Sequence, residues 1–321
     1  MTITPFRRCY RIKTFGFRGS WGQIFRVEQG FRNIGCSIAE EGEDFDFIYS
    51  NALLPDQKTV DCKRATGKPL IWHIHDLPAF EGTAHQRSIE KLTVHRNITI
   101  ATADQITVNT RFVARQLETY WGYQGAKVVG QPIQVDPDAD GFRARPRRNL
   151  AVIIGRLNDP LKNTELALQA LSRLRSPPDL AMIWAGKPKK KPRSFFRRHR
   201  IEHYCEIPAN ELAAVIKSAK MLLAPSLFEG LGLPPIEALA LGTPCIVSDI
   251  PVKREVFDST PVLFHDPNNA EDLARAIQQL LSNEELGWQM VERFASKVDF
   301  YTPDAHAAHI CTIYEDIRAR Q

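Results

Sequence analysis

The chain has 321 residues, 43% hydrophobic and 25% charged, with a net charge of +5 at pH 7, which suits two globular domains of about 150 residues each. No apolar run approaches the roughly 20 residues that span a bilayer, and no apolar stretch follows the first arginines as it would in a signal peptide. Six scattered cysteines without a CxxC pair argue against structural zinc and for reduced thiols, so a soluble cytoplasmic protein is expected.

Short apolar runs alternate with amphipathic stretches from end to end, the pattern of βαβ units and parallel sheets. In the first half, strands are predicted at 10–15, 45–50, 70–75, 105–108 and 127–130, and helices at 22–33, 85–95 and 111–121. The segment QVDPDADGFRARPRR, 134–148, is polar and rich in charge and proline, as an interdomain linker is. Beyond it, strands are predicted at 150–154, 180–184, 221–224, 245–248 and 262–264. Helices are expected at 164–174, 211–219, 270–281, 284–297 and 304–318. The predicted division is a first domain at 1–136, a linker at 137–148, a second domain at 149–300 and a final helix at 301–321.

The positive charge is concentrated. KPKKKPRSFFRRHR, 187–200, carries eight lysines and arginines and no acid, and Arg7, Arg8, Arg11, Lys13 and Arg18 all precede the first acid, Glu28. Such runs form a solvated face or meet anionic headgroups, an anionic acceptor or nucleic acid. The Phe195-Phe196 pair inside the run suits a shallow interfacial anchor. No interleaved aromatic platform of a single-strand binder is present, so no specific nucleic acid is expected.

The stretch APSLFEGLGLPPIEALALGTPCIVSDIP, 224–251, carries the most chemistry. Gly230 and Gly232 let the backbone come close to a ligand. Pro234 and Pro235 suit the first turn of a helix, and Gly242 marks its end. The start of that helix offers a partial positive charge to a phosphate. Glu237, one turn in, can accept the hydroxyls of a ribose. Glu229, on the loop, is placed for a second polyol such as a sugar.

This stretch resembles the Glu-x7-Glu signature of retaining glycosyltransferases of the GT-B fold, especially glycosyltransferase family four, with Cys245 where that family often has valine. The resemblance implies an α/β protein of two Rossmann-like domains facing across a cleft, with a C-terminal helix crossing back to the first domain. Ile154-Gly155-Arg156 with Lys162 is similar to the element whose arginine and lysine hold the donor diphosphate, although Asn163 replaces its usual glycine. Two cations there would stabilise the charge that develops on the leaving group. The loop FGFRGSWGQ, 15–23, resembles the glycine-rich first loop that approaches the donor, with Gly16 and Gly19 in it, while Arg18 and Trp21 replace smaller residues. PLIWHIHD, 69–76, places His75 where the family has a histidine near the transferred sugar, at the carboxyl end of a strand. His73, two residues earlier, is expected to pack or to support it. Asn109 stands where a serine is usual, and Lys187 follows Ala185-Gly186 where a second glycine is usual. Lys187 thus faces the nucleotide phosphates or belongs to a membrane-directed loop.

The resemblance implies a retaining transferase that moves a sugar from a nucleoside-diphosphate sugar to a saccharide or lipid-linked acceptor, peripheral on the inner face of a membrane if the basic run binds one. The implied catalytic residues are Glu229, Arg156, Lys162 and His75. The donor-binding residues are Gly16, Gly19, Gly230, Leu231, Gly232, Leu233, Glu237 and Lys187. No cofactor and no metal is expected, since no DxD stands beside the candidate sugar site and Asp136-Pro137-Asp138 lies in the linker. The alternatives are a non-catalytic nucleotide-sugar or nucleic-acid binder, and a nucleotide-sugar 2-epimerase on the same fold.

Overall fold

The computed structural model describes residues 9–16, 24–51, 57–77, 86–137, 146–155, 159–184, 201–205 and 207–321. The chain divides into two compact units, 1–133 with 299–321, and 134–298.

In the first unit six strands, β1 (Arg11–Gly16), β2 (Ser37–Ile38), β3 (Phe47–Asn51), β4 (Leu70–Ile74), β5 (Gln105–Val108) and β6 (Lys127–Val128), form a sheet in the order β2-β1-β3-β4-β5-β6. Every pairing is parallel. Helices α1 (Ile24–Asn33), α2 (Gln57–Thr66), α3 (Gln86–Thr102) and α4 (Arg111–Gln116) are interleaved with them. Every residue of β3 and β4 is buried, which explains why these strands read as mostly apolar runs rather than as alternations. Helix α2 escapes a pattern reading because it buries only Thr59 and Val60 and has no apolar stripe.

The second unit has β7 (Arg148–Gly155), β8 (Asp179–Trp184), β9 (Ile201–Cys205), β10 (Ala219–Ala224), β11 (Cys245–Ser248) and β12 (Leu263–His265). Their order is β12-β11-β10-β7-β8-β9, again all parallel. Its helices are α5 (Thr164–Ser172), α6 (Ala209–Ser218), α7 (Leu233–Ala240), α8 (Pro251–Val256), α9 (Ala270–Ser282) and α10 (Glu284–Val298). Counted from β7, this is the 3-2-1-4-5-6 order of doubly wound nucleotide-binding sheets, with the direction of winding reversing between β7 and β10. Strand β9 and helix α8 have no counterpart among the predicted elements. The first is a half-exposed edge strand and the second spans six residues, so neither carries a periodic apolar signal.

The last helix, α11 (Pro303–Arg318), packs on the first unit. Its Ile310, Tyr314 and Ile317 join Ile12, Phe31, Phe47 and Tyr49 in one core, and the Phe47 and Tyr314 rings stack at 4.5 Å. The approach is close enough that a Cβ on Gly30 would lie 2.0 Å from the Pro303 carbonyl oxygen, and one on Gly130 2.3 Å from that of Phe300. Among the described residues no helix is long and apolar enough to cross a membrane.

Candidate functional site

The reversal between β7 and β10 puts the loops after these two strands side by side, at the carboxyl ends where open α/β sheets bind ligands. After β7, Asp159 accepts a hydrogen bond from the Leu161 amide at 3.0 Å and starts a short turn, Pro160–Lys162. Asn163 then adopts the left-handed region, φ 49°, while its Nδ2 donates to the Pro267 carbonyl at 2.8 Å. Asparagine thus supplies the conformation for which glycine is usual and adds an anchor of its own. The stem of Lys162 lies over Gly155, with its Cγ 3.2 Å from where a Cβ would stand.

After β10, the Leu227 amide donates to the Leu161 carbonyl at 2.8 Å and ties the two loops together. Lys162 Nζ donates to Glu229 Oε1 at 2.7 Å and Ser226 Oγ donates to the same oxygen at 2.8 Å. The Glu229 side chain is 13% exposed. Burial would raise its carboxyl, but the charges of Lys162 and Lys253 and the two hydrogen bonds outweigh burial and hold it below its usual value. Glu229 is therefore a fixed, ionised acceptor.

Gly232, at φ 81°, precedes α7, whose first turn contains Pro234 and Pro235. The helix ends at Leu241. Gly242, at φ 79°, donates to Leu239 and Thr243 donates to Ala238, a Schellman motif. Within α7, Glu237 is 2% exposed and its Oε1 accepts from the Gln134 amide at 2.8 Å. Gly230, Leu231 and Gly232 are buried and Leu233 is half-buried. Arg156, Gly19 and Lys187 lie outside the described residues.

The remaining sequence-predicted positions sit in the first unit. Gly16 ends β1, where a Cβ would meet the Ile24 side chain at 3.2 Å. The close approach there is to α1. His75 follows β4; burial lowers its pKa, partly offset by hydrogen bonds with Gln131 and the backbone at Asn51. His73 is fully buried, with Nδ1 2.9 Å from Thr107 Oγ1 and Nε2 2.7 Å from Asn109 Oδ1. Because Asn109 Nδ2 donates to the His75 carbonyl at 3.1 Å, its Oδ1 must accept from His73 Nε2–H, and Nδ1 accepts from the threonine. Asn109, where a serine was usual, thereby fixes both the His73 ring and the His75 backbone.

One residue at the β7–β10 loops has no counterpart in the sequence reading. Lys253, on α8, is fully buried and its Nζ lies 3.2 Å from the Leu231 carbonyl oxygen and 3.4 Å from that of Gly232. In sequence it is one cation in PVKREV, indistinguishable from a solvated helix position.

Residues 136–297, about half of the chain, match the family described as Glycosyl transferases group 1. The chain is 43% identical to the O-antigen chain mannosyltransferase RfbU of Salmonella typhimurium over 75 residues, 23% of this chain and 21% of that protein. It is 26% identical to the D-inositol 3-phosphate glycosyltransferase of Corynebacterium glutamicum over 97% of this chain and 88% of the relative. The chain thus spans about a fifth of the first relative and most of the second. Its structure is similar to that of Anabaena HepE in complex with UDP-glucose, with a TM-score of 0.69, 14% identity, and coverage of 96% of this chain and 100% of that one.

Proposed function

The chain belongs to the group 1 glycosyltransferases and has the GT-B fold, and from that premise we propose that it is a retaining enzyme of the family-four type. It moves a sugar from a nucleoside-diphosphate sugar to a saccharide or lipid-linked acceptor. The observation that carries this reading is the Lys162–Glu229 pair, held by Ser226 where the loops after β7 and β10 meet.

Each residue then has a task. Glu229, kept ionised and oriented, accepts hydroxyls of the donor sugar through lone pairs that Lys162 and Ser226 leave unused. Lys162 sits at one end of that carboxylate and, with Arg156, supplies positive charge to the leaving diphosphate as the glycosidic bond breaks. Glu237 accepts from the ribose, and its bond from the Gln134 amide orients the carboxylate. Gly232 and the start of α7 provide close backbone approach for a phosphate. His75, held neutral by burial, contacts the sugar or acceptor. The leaving phosphate takes the acceptor's proton on the same face of the sugar, so the protein contributes placement and electrostatics rather than a base. No metal is needed where two cations meet the diphosphate. The 187–200 run meets an anionic surface that carries or borders the acceptor.

HepE's UDP-glucose makes UDP-sugars the first donors to test, followed by GDP- and ADP-sugars. Incubation of the chain with each donor is expected to give slow hydrolysis of one of them, releasing sugar with the anomeric configuration retained. Glu237→Ala should weaken the bare nucleoside diphosphate about tenfold, the worth of roughly one charged hydrogen bond. Glu229→Ala should change that affinity less than it changes binding of the sugar moiety, and lower turnover about a hundredfold. Inverted product would refute the mechanism, and equal binding of the nucleotide by wild type and Glu237→Ala would refute the ribose assignment.

A further inference from the structure

Lys253 alone among the described lysines is fully buried. Burying an ammonium costs several kcal/mol even after partial pairing, and an apolar side chain of similar size usually stabilises as well or better. Stability therefore gives no reason for a lysine here.

Its position does. The ammonium lies 1.7 Å from where a Cβ on Gly232 would be, and the Glu229 Cγ lies 3.5 Å from the same point. A Cβ at 232 would push the ammonium aside, and the left-handed backbone there favours glycine in any case. The ammonium is also next to the start of α7, where the helix dipole disfavours a cation and favours an anion. Pro234 and Pro235 have removed two of the N–H donors that a helix start normally offers an anion. Two cations, Lys162 and Lys253, flank one carboxylate, Glu229.

We propose that Lys253 is a positioning residue of the donor site: its ammonium holds the Leu231–Gly232 turn, keeps Glu229 ionised, and supplies the positive charge that the two prolines withhold from the diphosphate. This rests on the donor-site reading given above. Burial lowers the Lys253 pKa to about 8, with Glu229 raising it, Lys162 lowering it and Cys245 raising it slightly. Cys245, on β11, is itself pushed up to about 12 by burial and stays a thiol. The Phe257 ring also lies near the ammonium, 5.9 Å away. An anion binds better to the protonated form, so affinity for a nucleoside diphosphate falls as the pH rises through about 8.

The test is calorimetric titration of UDP, GDP and ADP into the full chain from pH 6.5 to 9.5, using the tightest of the three for the variants. Wild type should lose about tenfold in affinity between pH 7.5 and 9.5. Lys253→Met should bind about tenfold more weakly at pH 7 and show no such decline, and its KM for the donor sugar should rise more than kcat falls. Lys253→Gln serves if the methionine variant does not fold. A flat wild-type profile, or a variant that keeps the wild-type slope, would overturn the role of Lys253 while leaving the donor site standing. Failure of wild type to bind any of the three at pH 7 would remove the donor reading and this inference with it.

Discussion

His306 shows what one buried ring does for this chain. It is fully buried, its Nδ1 donates to the Gly130 carbonyl at 2.6 Å, and its Nε2 therefore accepts from the Tyr49 hydroxyl at 2.8 Å. Both nitrogens are used by the neutral form, and burial lowers the pKa from 6.5 to about 4. Unfolded, the same ring takes a proton near 6.5. Between about pH 4 and 6.5 the unfolded chain thus binds one more proton, and stability falls as the pH drops through that window, by roughly 3 kcal/mol in all. Urea midpoints measured from pH 7 to 4 should show this decline. His306→Gln, whose amide can serve both partners, should reduce the slope by about 1.4 kcal/mol per pH unit, and an unchanged slope would exclude His306 as the source. Such a residue is illegible in sequence, as is Lys253. Glu229, Glu237 and Lys162 are legible because each stands in a local motif with glycines and prolines in register. Lys253 reaches Gly232 across a helix and a strand, and nothing near it in sequence marks the meeting.

Among the elements, α7 and α11 contrast in how they are specified. The start and stop of α7 are written locally, in Gly232, Pro234 and Gly242, and its limits match the sequence reading closely. Helix α11 is equally plain as a helix, but its place is set by contacts nearly the length of the chain away: Tyr10 donates to Glu315 at 2.7 Å, and Asn33 donates to Asp304 at 2.8 Å. At Gly30 the backbone of α1 meets the start of α11. Gly30→Ala would put a methyl 2.0 Å from the Pro303 carbonyl oxygen, so one helix must shift, at a cost of about 1–3 kcal/mol. Hydrogen exchange should then rise selectively in 303–318. Unchanged protection there would show that the backbone gives way without loosening the helix.

The described residues form two six-stranded sheets of parallel strands, and most of their strands and helices, though not β2, β9, α2 or α8, are announced by the apolar rhythm. Strand order is another matter. The rhythm is the same for any winding, and the order β12-β11-β10-β7-β8-β9 is set by which strands pair in space. The basic 187–200 run, outside the described residues, bears on the molecule's surroundings. Sedimentation with vesicles of anionic lipid should carry the chain down at low salt, and replacing the lysines and arginines of the run with serine should abolish this. Co-sedimentation unaffected by the replacement would exclude the run as the anchor. The amino-acid order alone specified the alternating elements, the glycine and proline breaks of the 224–251 stretch, and hence the family resemblance, because these depend on residues within a few positions of each other. The fold was needed to pair Lys162 with Glu229, to engage Glu237 with the Gln134 amide, and to bring Lys253 beneath the glycine turn. Those contacts join residues 21 to 103 positions apart, and such distances close only when the sheet is wound and its interior is dry enough to make each charge and hydrogen bond count.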